Sequence, residues 1–189
     1  MQTVRAFIAL NIGDDIRNHL AELIRELKAS GADVRWVKPE NLHLTLAFLG
    51  QVNTGKFQPL ETALRTGFQS LEPFGITAVG TGVFGPRLRP GVVWAGIREN
   101  AELMRLQQHV VAALEQAEVR FDNKAFRPHL TLGRFKSLNQ SEALFQSLEK
   151  CRHQPFGHGT IRSVEIIKSE LKPTGAAYTV LQSVPLTEG

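Results

Sequence analysis

The sequence LHLTLAFL at 42–49 is echoed by PHLTLGRF at 128–135, so the letters HLTL occur once in each half of a chain of 189 residues. Side chains on a strand alternate between two faces. In the first copy His43, Thr45 and Ala47 share one side, while Leu42, Leu44, Leu46 and Phe48 share the other. In the second, His129 and Thr131 stand opposite Leu130 and Leu132. The leucines belong under helices, which leaves an imidazole and a hydroxyl on each uncovered face.

The elements around the two copies recur in the same order. Residues 3–10 predict a strand and 14–29 a helix, with Ile16, Leu20, Leu23, Ile24 and Leu27 at helical spacing. A short extended piece at 34–37, the turn Lys38-Pro39-Glu40-Asn41 and the strand 42–49 come next, with Gly50 as its stop. A helix over 56–71 and a strand over 74–84 complete the first unit. The loop at 85–91 is rich in Pro and Gly, and beyond it the pattern predicts a strand at 92–97 and a helix through Leu103, Leu106, Val110, Leu114 and Ala117. The HLTL strand at 128–135, a helix at 140–151 and strands at 161–171 and 177–184 close the chain. The expected fold is α+β and bilobal: one domain over 1–189, with two pseudo-symmetric lobes meeting near 85–91. Each lobe is a largely antiparallel sheet with helices on its outer face, and the His-x-Thr strands line a central cleft.

Two imidazoles across such a cleft suit displacement at phosphorus. With an unperturbed pKa near ~6.5, one ring can hold a proton while the other is neutral. One then takes a proton from the attacking group and the other gives one to the departing oxygen, each transfer contributing roughly 10²–10⁴-fold. Thr45 and Thr131 can donate to the non-bridging oxygens, where charge accumulates in the transition state. A single His-x-Thr on a strand is ordinarily structural; two copies with matching flanks in matching places favour an active site.

Other chemistries find less support. There is no H-x-H or HExxH and no acidic cluster beside either His, so no metal site is read and no cofactor is expected. No G-x-S-x-G supports a triad, Gly80-Thr81-Gly82 lacks the rest of a dinucleotide fingerprint, and Gly55-Lys56 lacks the rest of a P-loop. His19, His109, His153 and His158 have no Thr at i+2 and read as surface or capping residues. Cys151 is the only cysteine, which fits a reducing cytoplasm, and no apolar run is long enough to span a membrane. The excess of 22 Lys and Arg over 18 Asp and Glu is too small to identify a polyanion partner by itself. Lys124, Arg127 and Arg134 nevertheless bracket the second HLTL.

RWVKPENLHLTLAFLG at 35–50 and RPHLTLGRF at 127–135, with the opening RAFIAL and the strand PGVVWAG, resemble the 2H phosphoesterase superfamily, and within it the RNA 2′,3′-cyclic phosphodiesterases, also called 2′-5′ RNA ligases. The resemblance spans essentially the whole chain. It implies metal-independent hydrolysis of a terminal 2′,3′-cyclic phosphate on RNA to a 2′-phosphate. His43 would be proton donor to the leaving 3′ oxygen, His129 proton acceptor from water, and Thr45 and Thr131 would hold the phosphate. The implied partners are RNA with a cyclic phosphate end, tRNA halves included, or nucleotides, acted on by a monomer without a membrane. Ligation of 2′-5′ RNA, hydrolysis of small cyclic nucleotides, and a non-catalytic RNA- or nucleotide-binding module are the alternatives.

An Arg three residues after the second Thr is common in the family as a phosphate contact and matches Arg134. Strict alternation puts that side chain on the leucine face, so either Gly133 permits a bulge or Arg134 turns freely at the strand end. Trp36, Phe84 and Phe126 could stack a base at the rim or serve as core aromatics. Arg127 lies beside them, and Arg87 and Arg89 could meet RNA phosphates or only solubilise their loop.

Overall fold

The structure, a computed structural model, describes residues 2–172 and 175–187. Among the described residues nine strands join in one sheet, and four α-helices cover it. In chain order the strands are β1 (Thr3–Leu10), β2 (Val34–Trp36), β3 (Leu44–Asn53), β4 (Phe74–Phe84), β5 (Val92–Ile97), β6 (His129–Phe135), β7 (Pro155–Ile161), β8 (Ser163–Lys172) and β9 (Gly175–Pro185). The helices are α1 (Asp14–Lys28), α2 (Phe57–Gly67), α3 (Ala101–Gln116) and α4 (Ser141–Lys150).

Each helix forms where the apolar spacing calls for one. Ile16, Leu20, Leu23, Ile24 and Leu27 give α1 a buried stripe, with Asp14 and Asp15 in its first turn and Arg25 and Lys28 in its last, each sign matching the helix dipole. Asn100 caps α3 by accepting from the Leu103 amide at 2.8 Å. Helices α2 and α3 pack on each other, α3 also touches β3 and α2 touches β9, while α1 lies on β7 and α4 meets β4.

The strand order is β7-β4-β5-β6-β3-β1-β8-β9, antiparallel throughout, with β2 paired to β6 off that path. The two halves are symmetric about the β6–β3 join, but they are not consecutive halves of the chain. Strand β4 ends the first repeat yet pairs with β5 and β7, and β8 belongs to the second repeat yet pairs with β1. The loop at 85–91, expected to separate the lobes, instead joins two neighbouring strands of one half. Each half of the sheet therefore draws on both repeats.

Two other expectations change. Gly50 does not end the strand: with φ of 66° it sits at an irregularity, opposite Ala6, and β3 runs on to Asn53. Strand β7 is absent from the sequence reading, because PFGHGTI holds few residues that favour strands. Its glycines have a packing reason. A side chain at Gly159 would meet the Ile12 carbonyl and one at Gly157 would meet Asp15, whose carboxylate accepts from the His158 amide at 2.7 Å.

Gly133 is a comparable point beside the cleft. A Cβ there would stand 2.5 Å from Val34 Cγ1 and 3.0 Å from Trp36 Cε3, so β2 can lie on β6 only if position 133 has no side chain. Gly133→Ala should therefore destabilise the protein by about 1–3 kcal/mol, the usual cost of overpacking. Urea denaturation checks this, and an unchanged midpoint would contradict the close packing.

Candidate active site

The site is organised along β6 and the edge facing it. Leu44 pairs with Leu130, the one residue pair that joins β3 to β6. Extending that antiparallel register by one step each way sets His43 beside Thr131 and Thr45 beside His129, on the face opposite the leucines. The two His-x-Thr segments thus interlock as two rungs, and the imidazoles lie diagonally across them. Leu42, Leu44, Leu46, Leu130 and Leu132 are all buried on the helix side.

Beyond each Thr the alternation breaks, and it breaks identically in both copies. On β3, Thr45 faces Ala9 and Ala47 faces Ile8, leaving Leu46 without a partner on β1. On β6, Thr131 faces Trp94 and Gly133 faces Val93, leaving Leu132 without a partner on β5. Each extra leucine is a β-bulge that reverses the facing of the residues after it. Ala47 and Gly133 turn inward, whereas Phe48, 47% exposed, and Arg134 turn to the cleft. Phe48 was expected on the leucine face, and the bulge at Leu46 puts it on the other.

The imidazoles are held alike. Nδ1 of His43 bonds the Asn41 carbonyl at 2.7 Å, and Nδ1 of His129 bonds the Arg127 carbonyl at 2.7 Å. A carbonyl only accepts, so Nδ1 carries the hydrogen in both rings and Nε2 is the atom that gains or loses a proton. His43 stacks on Phe7 with centroids 4.7 Å apart and meets the edge of Tyr178 at 5.2 Å. His129 meets Phe84 edge-on at 4.8 Å, and Phe84 leans on Trp94. No hydrogen bond to Thr45 or Thr131 side chains occurs among the described residues, so both hydroxyls are free to donate.

Burial pushes both histidines below their ordinary value. The carbonyl bonds oppose that shift; the charge of His129 adds to it at His43, and that of Arg134 adds to it at His129. Burial raises the Tyr178 phenol, while the charges of Arg134 and Arg5 pull it down. Both effects accord with the bulge at Leu132, which turns Arg134 to the cleft face. A cavity of ≈ 630 Å³ opens at the end of the site marked by Thr45 and His129, lined also by Phe48, Phe84, Phe126 and Arg127. Its size suits a small organic ligand. Among the described residues no group of three or more His, Cys, Asp or Glu could hold a metal ion, and no helix is long and apolar enough to cross a membrane.

The sequence matches the LigT-like phosphoesterase family twice, over residues 10–94 and again over 96–178, with one His-x-Thr in each match. The chain belongs to that family. Among the relatives of this LigT-like phosphoesterase are the RNA 2′,3′-cyclic phosphodiesterases of Archaeoglobus fulgidus, 36% identical over 95% of this chain and 98% of the relative, and of Methanothermobacter thermautotrophicus, 32% identical over 95% and 97%. Similar solved structures include a Thermus thermophilus protein, with a TM-score of 0.79 at 27% identity over 96% of this chain and 97% of the other. Escherichia coli LigT complexed with 3′-AMP has a TM-score of 0.78 at 26% identity, over 99% and 100%.

Of the residues singled out in the sequence, His43, Thr45, His129, Thr131 and Arg134 share one face of the sheet, and Phe84, Phe126 and Arg127 line the cavity at its Thr45 and His129 end. Trp36 does not join them: it pairs with Gly133 and packs against the core on the opposite face. Arg87 is committed elsewhere, with both Glu142 oxygens at 2.9 and 2.8 Å and Phe145 beneath it at 5.0 Å. His19, His153 and His158 are exposed, and half-buried His109 lies near Gly67 on α2.

Phe7, Arg5, Arg35, Phe48 and Tyr178 were missed. None has a local signature; strand pairing alone brings them to the cleft face. In NMR titration of the free protein, both His43 and His129 should titrate below 6.5. Between the folded and unfolded values the unfolded chain binds more protons, so these rings favour folding fully above about 6.5 and cost stability as pH falls through their folded values. Replacing both with Gln should flatten that part of the stability profile.

Proposed function

We propose that the chain hydrolyses the terminal 2′,3′-cyclic phosphate of RNA to a 2′-phosphate, without a metal, by two-histidine acid–base catalysis. The observation that carries this is the pair of imidazoles set diagonally across two adjacent rungs, each with Nδ1 tied to a carbonyl and each beside a free Thr hydroxyl. The activity named for its relatives supports the choice of substrate, as does the nucleotide in the LigT complex.

In this reading neutral His129 accepts the water proton at Nε2 as the oxygen attacks phosphorus. The bond from phosphorus to the 3′ oxygen breaks, and that oxygen takes the Nε2 proton of protonated His43. The product has a 2′-phosphate and a free 3′ hydroxyl, and the two rings have exchanged protonation states. Thr45, Thr131 and Arg134 hold the non-bridging oxygens, where fixed donors act most strongly on the transition state. Burial favours the uncharged form of both rings, which suits the base and opposes the acid. A bound anionic phosphate corrects this by stabilising protonated His43.

Both rungs take one residue from each repeat, so the whole chain serves as a single catalytic domain and a monomer suffices. Cys151 is a free thiol raised by burial, which accords with a reducing, cytoplasmic setting.

The test is RNA ending in a 2′,3′-cyclic phosphate, incubated with the protein in EDTA. The expected product is the 2′-phosphate, with activity down by roughly 10²–10⁴-fold in either His43→Ala or His129→Ala. Loss of activity in EDTA, a 3′-phosphate product, or full activity in His129→Ala would each overturn the scheme. The plot of kcat/KM against pH should be a bell centred below about 6.5, with that of kcat displaced upward by the bound phosphate. The two limbs belong to the coupled pair rather than to either ring alone.

A further inference from the structure

We propose that Arg35, set beside Arg134, forms a subsite for the phosphodiester on the 5′ side of the terminal nucleotide, so that the enzyme favours an RNA chain over a mononucleotide. The proposal rests on the reading above and concerns where the remaining charge of the substrate goes.

Strand β2 lies along the same edge of β6 as the start of β3. Its register sets Val34 against Phe135, Arg35 against Arg134 and Trp36 against Gly133. Val34 is buried and Trp36 leans on the core, so alternation turns Arg35 to the other face; the bulge at Leu132 turns Arg134 there too. The cleft floor is then a ladder of three rungs along β6: Thr45 with His129, His43 with Thr131, and Arg35 with Arg134.

The third rung costs the fold stability. Like charges directly opposite on paired strands repel, and a guanidinium cannot relieve this by losing its proton. Some basic side chains elsewhere have carboxylate partners, as Arg87 has Glu142, Arg65 has Glu61 and Lys56 has Glu118. Among the described residues neither Arg35 nor Arg134 has an ion pair or a side-chain hydrogen bond. An anion carried by the substrate is the counter-charge this rung lacks.

In the reading above the reacting phosphate lies on the first two rungs, and the bulge at Leu132 turns Arg134 to the same face. Arg35 stands across from Arg134 and a rung beyond His43, with the turn Pro39–Asn41 looping out between them. A 2′,3′-cyclic mononucleotide has no second phosphate to offer there, whereas the end of an RNA chain has one on its 5′ side. The planar guanidinium fork of Arg35 suits a phosphodiester, which has two free oxygens.

The experiment compares kcat/KM for a 2′,3′-cyclic mononucleotide with that for a short oligonucleotide ending in the same nucleotide and cyclic phosphate. In Arg35→Ala the oligonucleotide-to-mononucleotide ratio should fall by roughly ten- to hundred-fold, as expected for one lost charge-assisted contact. Arg35→Lys should regain part of it. The log–log salt dependence of the oligonucleotide KM should lose about 0.7 of its slope, the share of one single-strand phosphate. Only folded molecules contribute to the ratio, so partial unfolding does not move it.

A ratio left at the wild-type value overturns the proposal in either of two ways. If both activities fall together, Arg35 serves the reacting phosphate; if neither falls, it does not meet the substrate. A wild-type protein that opens neither substrate would instead sink the reading on which the proposal rests.

Discussion

Strands β3 and β6 meet at the pair Leu44 and Leu130, and the placement of the cleft groups depends on that contact. The leucines are held inward by burial under the helices, where each fully buried side chain contributes about 1.5–3 kcal/mol. With the leucines inward, the His and Thr that alternate with them have only the opposite face to occupy. Antiparallel pairing then sets the His of one copy beside the Thr of the other. Because the two strands diverge beyond this point, β2 can fill the edge of β6 that β3 leaves, and Arg35 arrives beside Arg134.

The bulges make the second constraint. An unpaired leucine comes directly after the Thr in both copies, so the backbone symmetry extends past the shared letters HLTL into the segments where the sequences part. Phe48 and Arg134 occupy equivalent places on the cleft face, one aromatic and one cationic. The same backbone device thus gives one half of the site a stacking surface and the other a charge. A similar division marks the imidazoles: His43 is enclosed by Phe7 and Tyr178, while His129 has Phe84 at its edge and Arg134 in electrostatic reach. Near-identical local geometry with unequal surroundings is what a proposed acid and base require.

Much of the fold is legible in the chain because amphipathic spacing is a local property. The stripe of α1 from Ile16 to Leu27 and the apolar strands β1, β4 and β5 declare themselves within a few residues. Strand β7 does not, because its glycines answer to α1, which crosses it from far away in sequence. The exchange of β4 and β8 between the halves is equally silent. It depends on which sheet edge each strand finds, and no residue in either strand encodes that. Trp36 was open to two readings for a related reason: a three-residue strand carries too little pattern to say which face is buried, and only Gly133 opposite it decides.

By itself the sequence determined the chemistry on offer: two imidazoles, two hydroxyls and an arginine, on strands whose leucines fix which side goes inward. That much is local, since alternation along a strand and the aversion of leucine to water suffice. Only the tertiary structure decided how those groups face one another. Register between strands distant in the chain set the diagonal of the imidazoles, two bulges brought Phe48 and Arg134 to the cleft, and β2 delivered a second arginine. The physical reason is that a hydrogen-bonded ladder relates residues by position across strands, which no spacing along one strand records.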